Sequence, residues 1–286
     1  MDIEQARTFL AIAAHGSFLE ASRRLHVTHS TVSVRIQKLE EEFGTKLFVR
    51  NRSGASLTPS GQRFVQHAKT LVLTIEQARH DVGLPSRFRA SLRVGGRIAL
   101  WEEFLPSWVG RMRRAAPDVS IRSEIGFEED LMRRLVEGTL DIGLMYTPSH
   151  AQGLIVEHLF DETLVMVSTD PNTRWPGEDY VYVEWGPGFY ARHRESYPDL
   201  ERPAQVVNIG WLGIQIILSN GGSCYLPIRM ARSFIQQERL YRVADAPEFP
   251  HPAFMVFPRE ADSDAIELGL AQLRTLASEE QQAALS

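Results

Sequence analysis

The sequence predicts a multidomain protein of mixed α+β and α/β class: a small helical head carrying one hairpin, a long connecting helix, and a larger body of alternating strands and helices. Three observations carry this. Through the first 83 residues apolar side chains recur at helical spacing, apart from one hairpin-like stretch. From residue 91 strand-like and helix-like segments alternate with short loops, the pattern of βαβ units and a parallel sheet. The charge also changes sign between these parts. Residues 1–90 carry 13 Lys and Arg against 8 Asp and Glu, a net +5; residues 91–286 carry 18 against 28, a net −10. All three lysines, Lys38, Lys46 and Lys69, fall in the first part. The overall −5 hides a basic head on an acidic body, the asymmetry expected when one end meets a polyanion.

In the head, Ile3, Ala6, Phe9, Leu10 and Ala13 mark a first helix that Gly16 stops. Ser17 with Glu20 makes a capping box for a second helix, whose apolar face is Phe18, Ala21 and Leu25. After the turn His26-Val27-Thr28, a third helix runs from about His29 to Phe43 and ends at Gly44. The segment TKLFVRNRSGASLTP reads as a β-hairpin with a basic tip at Asn51-Arg52-Ser53-Gly54. Thr58-Pro59 starts a fourth helix, to about residue 83. Its stripe of Val65, Ala68, Val72, Ile75 and Val82, with Phe64, Leu71 and Ala78 beside it, suits burial in its own domain or, preferably, a dimer seam. Gly83, Pro85 and Ser86 read as a hinge.

In the body, LRVGGRIAL is strand-like. WEEFLPSWVGRMRRAAP is helix-like, with Pro106 either kinking it or lying in its first turn. VSIRSEIGF is a strand, Glu128, Glu129 and Asp130 open a helix ending near Gly138, and DIGLMY is a further strand. Further strands are expected at 163–168, 180–184, 204–208, 223–226 and 253–257, and helices at 211–219, 228–236 and 262–278.

Several function classes fall away. The 43% hydrophobic and 23% charged content is that of an ordinary globular chain and argues against disorder. A single Cys224 excludes an intrachain disulfide and a Cys-based zinc site, and fits a reducing compartment; in GGSCYLP it reads as a core thiol in preference to a redox sensor. The N-terminus lacks the basic and long apolar regions of a signal peptide, and no stretch approaches a membrane span. HExxH, GxSxG, P-loop and strand-borne GxGxxG motifs are absent. His150, His158 and His193 fall in expected loops without metal-ligand spacing. No cofactor and no metal is expected.

The third helix of the head carries the chemistry. Val32, Ile36, Leu39 and Phe43 share one arc and should pack inward, while Ser30, Val34, Gln37 and Glu41 lie opposite, flanked by His29, Thr31, Ser33 and Lys38. A small, polar N-terminal half is what a helix entering a major groove needs, and helix, turn, helix and basic hairpin make a winged helix-turn-helix. Thr28, Ser30, Thr31 and Ser33 can donate or accept at base edges, and Val34 suits a thymine methyl. Arg35, Lys38, Arg50 and Arg52, with Ser53 at the wing tip, suit phosphates.

The runs FLAIAAHGSFLEASRRLHVT, STVSVRIQKLEEEFGTKLFVR and LTPSGQRF, in order and without gaps, resemble the DNA-binding domain of the LysR-type transcriptional regulators. LWEEFLPSWVGRM and VEWGPGF resemble the branch that contains a repressor of the flagellar master operon. The resemblance implies a winged helix-turn-helix over 1–58, a dimerising linker helix and hinge over 59–90, and a periplasmic-binding-protein-like regulatory domain over 91–286. That domain would divide into subdomain I (about 91–162 and 262–286) and subdomain II (about 163–261). His29 and Ser30 stand where members often have Gln and Pro, Ser33 matches a frequent serine, and Val34 replaces the usual arginine, which implies a different operator preference.

In such regulators a small effector binds between subdomains, at the strand exits. The corresponding residues here are Arg97, Ile98, Leu100 and Trp101, then Phe127 and Glu128, Tyr146 and Thr147, Trp185-Gly186, and Asn208. Arg97 suits a carboxylate ligand; alternatively it pairs with Glu128 while the tryptophans fill space, leaving a regulator without an effector. The expected protein is a bacterial, cytoplasmic, nucleoid-associated transcription factor and not an enzyme. It would act as a homodimer or homotetramer on an imperfect palindrome of double-stranded DNA, with half-sites about 34 Å apart or multiples of that, and with RNA polymerase as a further partner. The alternative is a small-molecule binding protein whose helical head only oligomerises.

Overall fold

The computed structural model describes residues 1–51, 54–173, 177–200, 203–260 and 263–285. Its contacts divide the chain into two units, Met1–Ser86 and Arg87–Ser286.

The first unit contains α1 (Ile3–His15), α2 (Phe18–Arg24), α3 (His29–Phe43), the hairpin β1 (Phe48–Asn51) and β2 (Gly54–Leu57), and α4 (Pro59–Val82). Each early helix is capped locally. Asp2 and Gln5 exchange side-chain-to-backbone bonds of 2.8 Å at the start of α1. Ser17 accepts from the Glu20 amide at 3.3 Å, and Thr28 accepts from the Thr31 amide at 3.1 Å. Gly16 and Gly44 close α1 and α3 in the left-handed region. Phe9 sits at the centre of the core, 4.8 Å from the Phe64 ring and 5.1 Å from Phe48, with Ile12, Val32, Ile36 and Leu39 around it. The hairpin is tied to the end of α1 by an Ala55 amide donating to the Gly16 carbonyl at 2.7 Å. A Cβ on Gly54 would lie 2.3 Å from that same oxygen, so only glycine fits there.

The second unit is a mixed sheet with helices on it. In chain order it comprises β3 (Ala90–Gly96), α5 (Ile98–Trp101), α6 (Phe104–Ala115), β4 (Val119–Ile125), α7 (Glu128–Val136), β5 (Ile142–Met145) and β6 (Leu154–Ser168). Then follow β7 (Tyr180–Val183), α8 (Pro187–Ser196), β8 (Gln205–Val207), α9 (Gly210–Asn220), β9 (Ser223–Pro227), α10 (Ile228–Gln236), β10 (Tyr241–Arg242), β11 (Phe249–Pro258) and α11 (Asp264–Leu285). The strand order is β4-β3-β5-β11-β6-β9-β7-β8, with β10 paired to β6. Parallel pairs stand at both ends, β4-β3-β5 and β9-β7-β8, and the antiparallel β6 and β11 join them. No helix among the described residues is long and apolar enough to cross a membrane.

Several elements differ from expectation. LRVGGRIAL is a strand only to Gly96; Ile98–Trp101 turns into α5, which buries Ala99 and Leu100. The next helix begins at Phe104, after Glu103 in a left-handed conformation, and Pro106 lies in its first turn without a kink. The expected strand at 163–168 is the end of the longer β6, so the expected subdomain boundary at 162/163 falls inside one strand. β11 begins at Phe249; Pro250 and Pro252 masked it in the sequence, and a register shift at Ala253/Phe254 accommodates its irregular pairing. The polar α8 has weak periodicity and escaped the sequence reading. His158 lies in β6 and His193 in α8, not in loops.

Candidate nucleic-acid interface and the cleft of the larger unit

On α3 the inward arc is buried at Val32, Ile36 and Leu39. Phe43 is the exception: it is 46% exposed and rests on Phe64 with ring centroids 5.0 Å apart. The opposite face is open. Thr28, His29, Ser30, Gln37 and Lys38 are exposed, Thr31 and Ser33 half-buried, and Val34 is 50% exposed. The Thr28 hydroxyl lies 2.8 Å from both the Ser30 and Thr31 hydroxyls, a polar cluster at the helix start. Gln37 donates to Glu41 at 2.8 Å, which ends the small polar stretch in negative charge.

Two charged residues of α3 turn to the interior of the head. Arg35, expected at phosphates, turns inward in the free protein: Nη1 meets Glu4 at 3.2 Å and donates to the Thr8 hydroxyl at 3.3 Å. At 100° per residue Arg35 already falls beside the inward arc of Val32 and Ile36, so its charge is engaged within the head. Glu40, which the sequence reading passed over, is only 8% exposed. It accepts from the Leu47 and Phe48 amides at 2.9 and 3.3 Å and from Lys46 Nζ at 2.7 Å, joining α3 to the wing strand. Its signal was a carboxylate adjoining the apolar arc. In the wing, the Arg50 backbone pairs with Ala55 in β1-β2; Arg52 and Ser53 lie outside the described residues.

The expected α4 seam divides. Ala68 is fully buried in its own domain, and Val65, Leu71 and Val72 pack against the same core. Of these only Ala68 is wholly taken up by its own core; Val65, Leu71 and Val72 stay half-buried. Further along, Ile75 is half-buried, Ala78 exposed and Val82 89% exposed.

At the strand exits of the larger unit the side chains are engaged with one another, Arg97 with Phe127 and Glu128, and Tyr146 with Trp185 at 6.5 Å between rings. Arg97 sits 4.5 Å over the Phe127 ring and 3.4 Å from Glu128. Leu100 is fully buried, a core residue and not a ligand contact. Trp101 donates to the Glu124 carbonyl at 2.9 Å, and Trp185 to the Tyr225 carbonyl at 2.8 Å. Ile98 is half-buried, Phe127 49% exposed, and Thr147 and Asn208 are exposed.

A buried polar network that the sequence reading missed holds the centre. Tyr146 donates to Glu162 at 2.6 Å. Arg229, 2% exposed on α10, donates through Nε to Glu162 at 2.8 Å, through Nη2 to the Ala99 carbonyl at 2.9 Å, and through Nη1 to the Glu102 carbonyl. Burial, followed by the Glu162 charge, pushes the Tyr146 hydroxyl well up from its ordinary value. His251 of β11 stacks on Tyr146 at 3.9 Å and meets Trp185 edge-on at 5.4 Å. Its Nε2 makes no hydrogen bond among the described residues. Burial first, then the Arg192 and Arg97 charges, lower its pKa to about 3. The signal for Glu162 and Arg229 was an unlike charge inside each of two apolar segments, but nothing local said they would meet. Cys224 is fully buried on β9, and burial pushes its thiol up, away from the reactive thiolate.

The comparisons agree with this architecture. Residues 3–62 match the family described as bacterial regulatory helix-turn-helix protein, lysR family, and residues 86–278 match the LysR substrate binding domain. The HTH-type transcriptional regulator HdfR of Escherichia coli O17:K52:H18 is 28% identical over 279 residues, covering 96% of this chain and 99% of that protein. The crystal structure of CbnR, a LysR family transcriptional regulator, superposes with a TM-score of 0.71 at 17% identity, over 97% of this chain and 99% of CbnR. Full-length CbnR in complex with its target DNA gives 0.73 at 17% identity, over 96% and 100%. These structural likenesses show the fold. The chain belongs to the LysR family of transcriptional regulators, with a helix-turn-helix DNA-binding head and a substrate-binding-type regulatory domain, and it is not an enzyme.

Proposed function

We propose that this regulator reads an imperfect palindrome by inserting the N-terminal half of α3 into the major groove. Thr28, Ser30, Thr31 and Ser33 lie at base edges, Val34 against a thymine methyl, and Lys38, Arg50 and Arg52 at phosphates. It acts in the cytoplasm, on the nucleoid, as a homodimer or homotetramer, and its downstream partner is RNA polymerase. CbnR, of the same fold, was crystallised with its target DNA, which supports DNA as the partner. The exposed end of α4 around Ile75, Ala78 and Val82 is the part left to meet a partner helix. The observation that carries the reading is the contrast across α3: Val32, Ile36 and Leu39 are buried while the hydroxyl-rich start of the helix and Val34 face solvent.

In the same reading the inter-subdomain cleft takes no effector. Arg229, Glu162 and Tyr146 bond to one another and to the exit of β3 through the Ala99 and Glu102 carbonyls, which supports a domain set without a ligand there. The test is genome-wide footprinting of the purified protein at stated salt, with competitor and no added small molecule. Expected are palindromic protected sites that vanish in a Ser30→Asp/Ser33→Asp variant. No protection at micromolar protein, or protection unaltered in the variant, would sink the reading.

A further inference from the structure

Two kinds of contact hold α3 on α1. Val32, Ile36 and Leu39 pack into the core of the head. Burial of this kind is non-directional: it sets how closely the helices lie and leaves rotation of α3 about its axis soft. The second contact is polar and directional. Arg35 Nη1 lies 3.2 Å from Glu4 Oε2 and donates to the Thr8 hydroxyl at 3.3 Å. Thr8 is fully buried, and its hydroxyl donates in turn to the Glu4 carbonyl at 2.6 Å, which leaves the oxygen lone pairs for the guanidinium. The other carboxylate oxygen of Glu4 accepts from Arg7 at 3.2 Å, and Arg7 reaches Glu76 of α4 at 3.4 Å. Charges of alternating sign thus run from α3 through α1 to α4.

Arg35 directly follows Val34 and lies one helical turn past Thr31, inside the stretch that faces the bases. Side-chain tips stand about 5–6 Å from a helix axis, so a rotation of about 10° moves them by about 1 Å. Such a shift spoils a hydrogen bond to a base edge, whereas a long flexible cation follows a phosphate through it. We propose that Glu4 and Arg35 are positioning residues for operator reading. Their pair, with Thr8, fixes the rotation of α3, and Arg35 stays on α1 when DNA is bound instead of moving to a phosphate. This rests on the reading that α3 enters the major groove.

The test is the affinity of the full-length protein for a footprinted operator and for an unrelated duplex of equal length, each over a salt series. Arg35→Gln should weaken operator binding about tenfold, hold the unrelated duplex within about twofold, and leave the salt slope unaltered. Glu4→Gln should weaken the operator to a similar degree, although losing a negative charge by itself favours any duplex. The double variant should be no worse than either single one, because both remove the same interaction. The two side chains are 23% and 43% exposed, so the variants should fold, and binding of the unrelated duplex reports an intact head in each. A salt slope flattened by about one unit in Arg35→Gln would mean a phosphate contact and overturn the proposal. So would operator binding strengthened by Glu4→Gln, additive losses in the double variant, or equal losses on both duplexes. Failure of the groove reading shows separately, as operator binding that Ser30→Asp/Ser33→Asp leaves intact.

Discussion

Glu40 in the head and Glu162 in the regulatory domain are both buried carboxylates with several donors, yet they do opposite things to the legibility of their regions. The partners of Glu40 lie 6 to 8 residues along the chain, and its bonds merely join α3 to the adjacent wing strand. Glu162 meets Arg229 across 67 residues, and Arg229 goes on to carbonyls 127 and 130 residues away. The head keeps its polar chemistry on the surface and uses burial for local joints. The regulatory domain buries its polar chemistry at the point where the chain crosses between its two parallel halves. A surface designed to touch another molecule and an interior designed to hold two halves together thus draw on the same residue types.

The largest expected effect tests the buried network. Arg229→Met strands Glu162 without its guanidinium and should lower stability by about 3–5 kcal/mol in chemical denaturation followed at the regulatory domain. The double variant Arg229→Met/Glu162→Leu should recover more than half of that, because the stranded charge is gone. A loss below about 1 kcal/mol in the single variant would mean that the network carries no more than a surface pair.

Acid should separate the regions next. His251 has its pKa lowered to about 3 and His193 to about 4, chiefly by burial, from an ordinary 6.5. The folded state therefore binds fewer protons than the unfolded one below 6.5. The stability these histidines permit is complete above that pH and is lost as pH falls toward 4 and 3. Each group should cost about 1 kcal/mol per pH unit across its window. Equilibrium unfolding between pH 7 and 4 checks this, with His251→Phe as the control that should flatten the slope; an unchanged slope would remove His251 from the account.

In the head, Glu40→Ala should cost about 2 kcal/mol by leaving the Leu47 and Phe48 amides unpaired, with a smaller cost for Glu40→Gln. Thermal melting of the head and DNA affinity should fall together, since the wing loses its tie to α3. The smallest effect is on reading. Val34→Ala should cost about 1 kcal/mol at one thymine of the operator, and uracil at that base should remove the difference. A loss that persists with uracil would place Val34 elsewhere.

Much of the head was legible because its rules are short-range. Ser17 and Thr28 cap within three residues, Gly16 and Gly44 stop helices where they stand, and the α3 arc at Val32, Ile36 and Leu39 follows from a 3.6-residue period. The same periodicity overreached at Phe43 and on α4, where Ala68 serves its own core, because a stripe says which face is apolar and not what covers it. In the regulatory domain the alternation gave the βαβ units. It missed α8, whose periodicity is weak, and the full length of β11, whose prolines look like breakers.

The sequence by itself determined the family, the order of the elements, the outward face of α3 and the division of charge into +5 and −10. Tertiary structure alone decided that Arg35 turns to Glu4, that Arg97 lies over Phe127, and that Arg229, Glu162 and Tyr146 join in one buried network with His251 stacked on Tyr146. The reason is range. Propensity, capping and periodicity act over a few residues, whereas the partner of a buried charge is chosen by packing among segments brought together from anywhere in the chain.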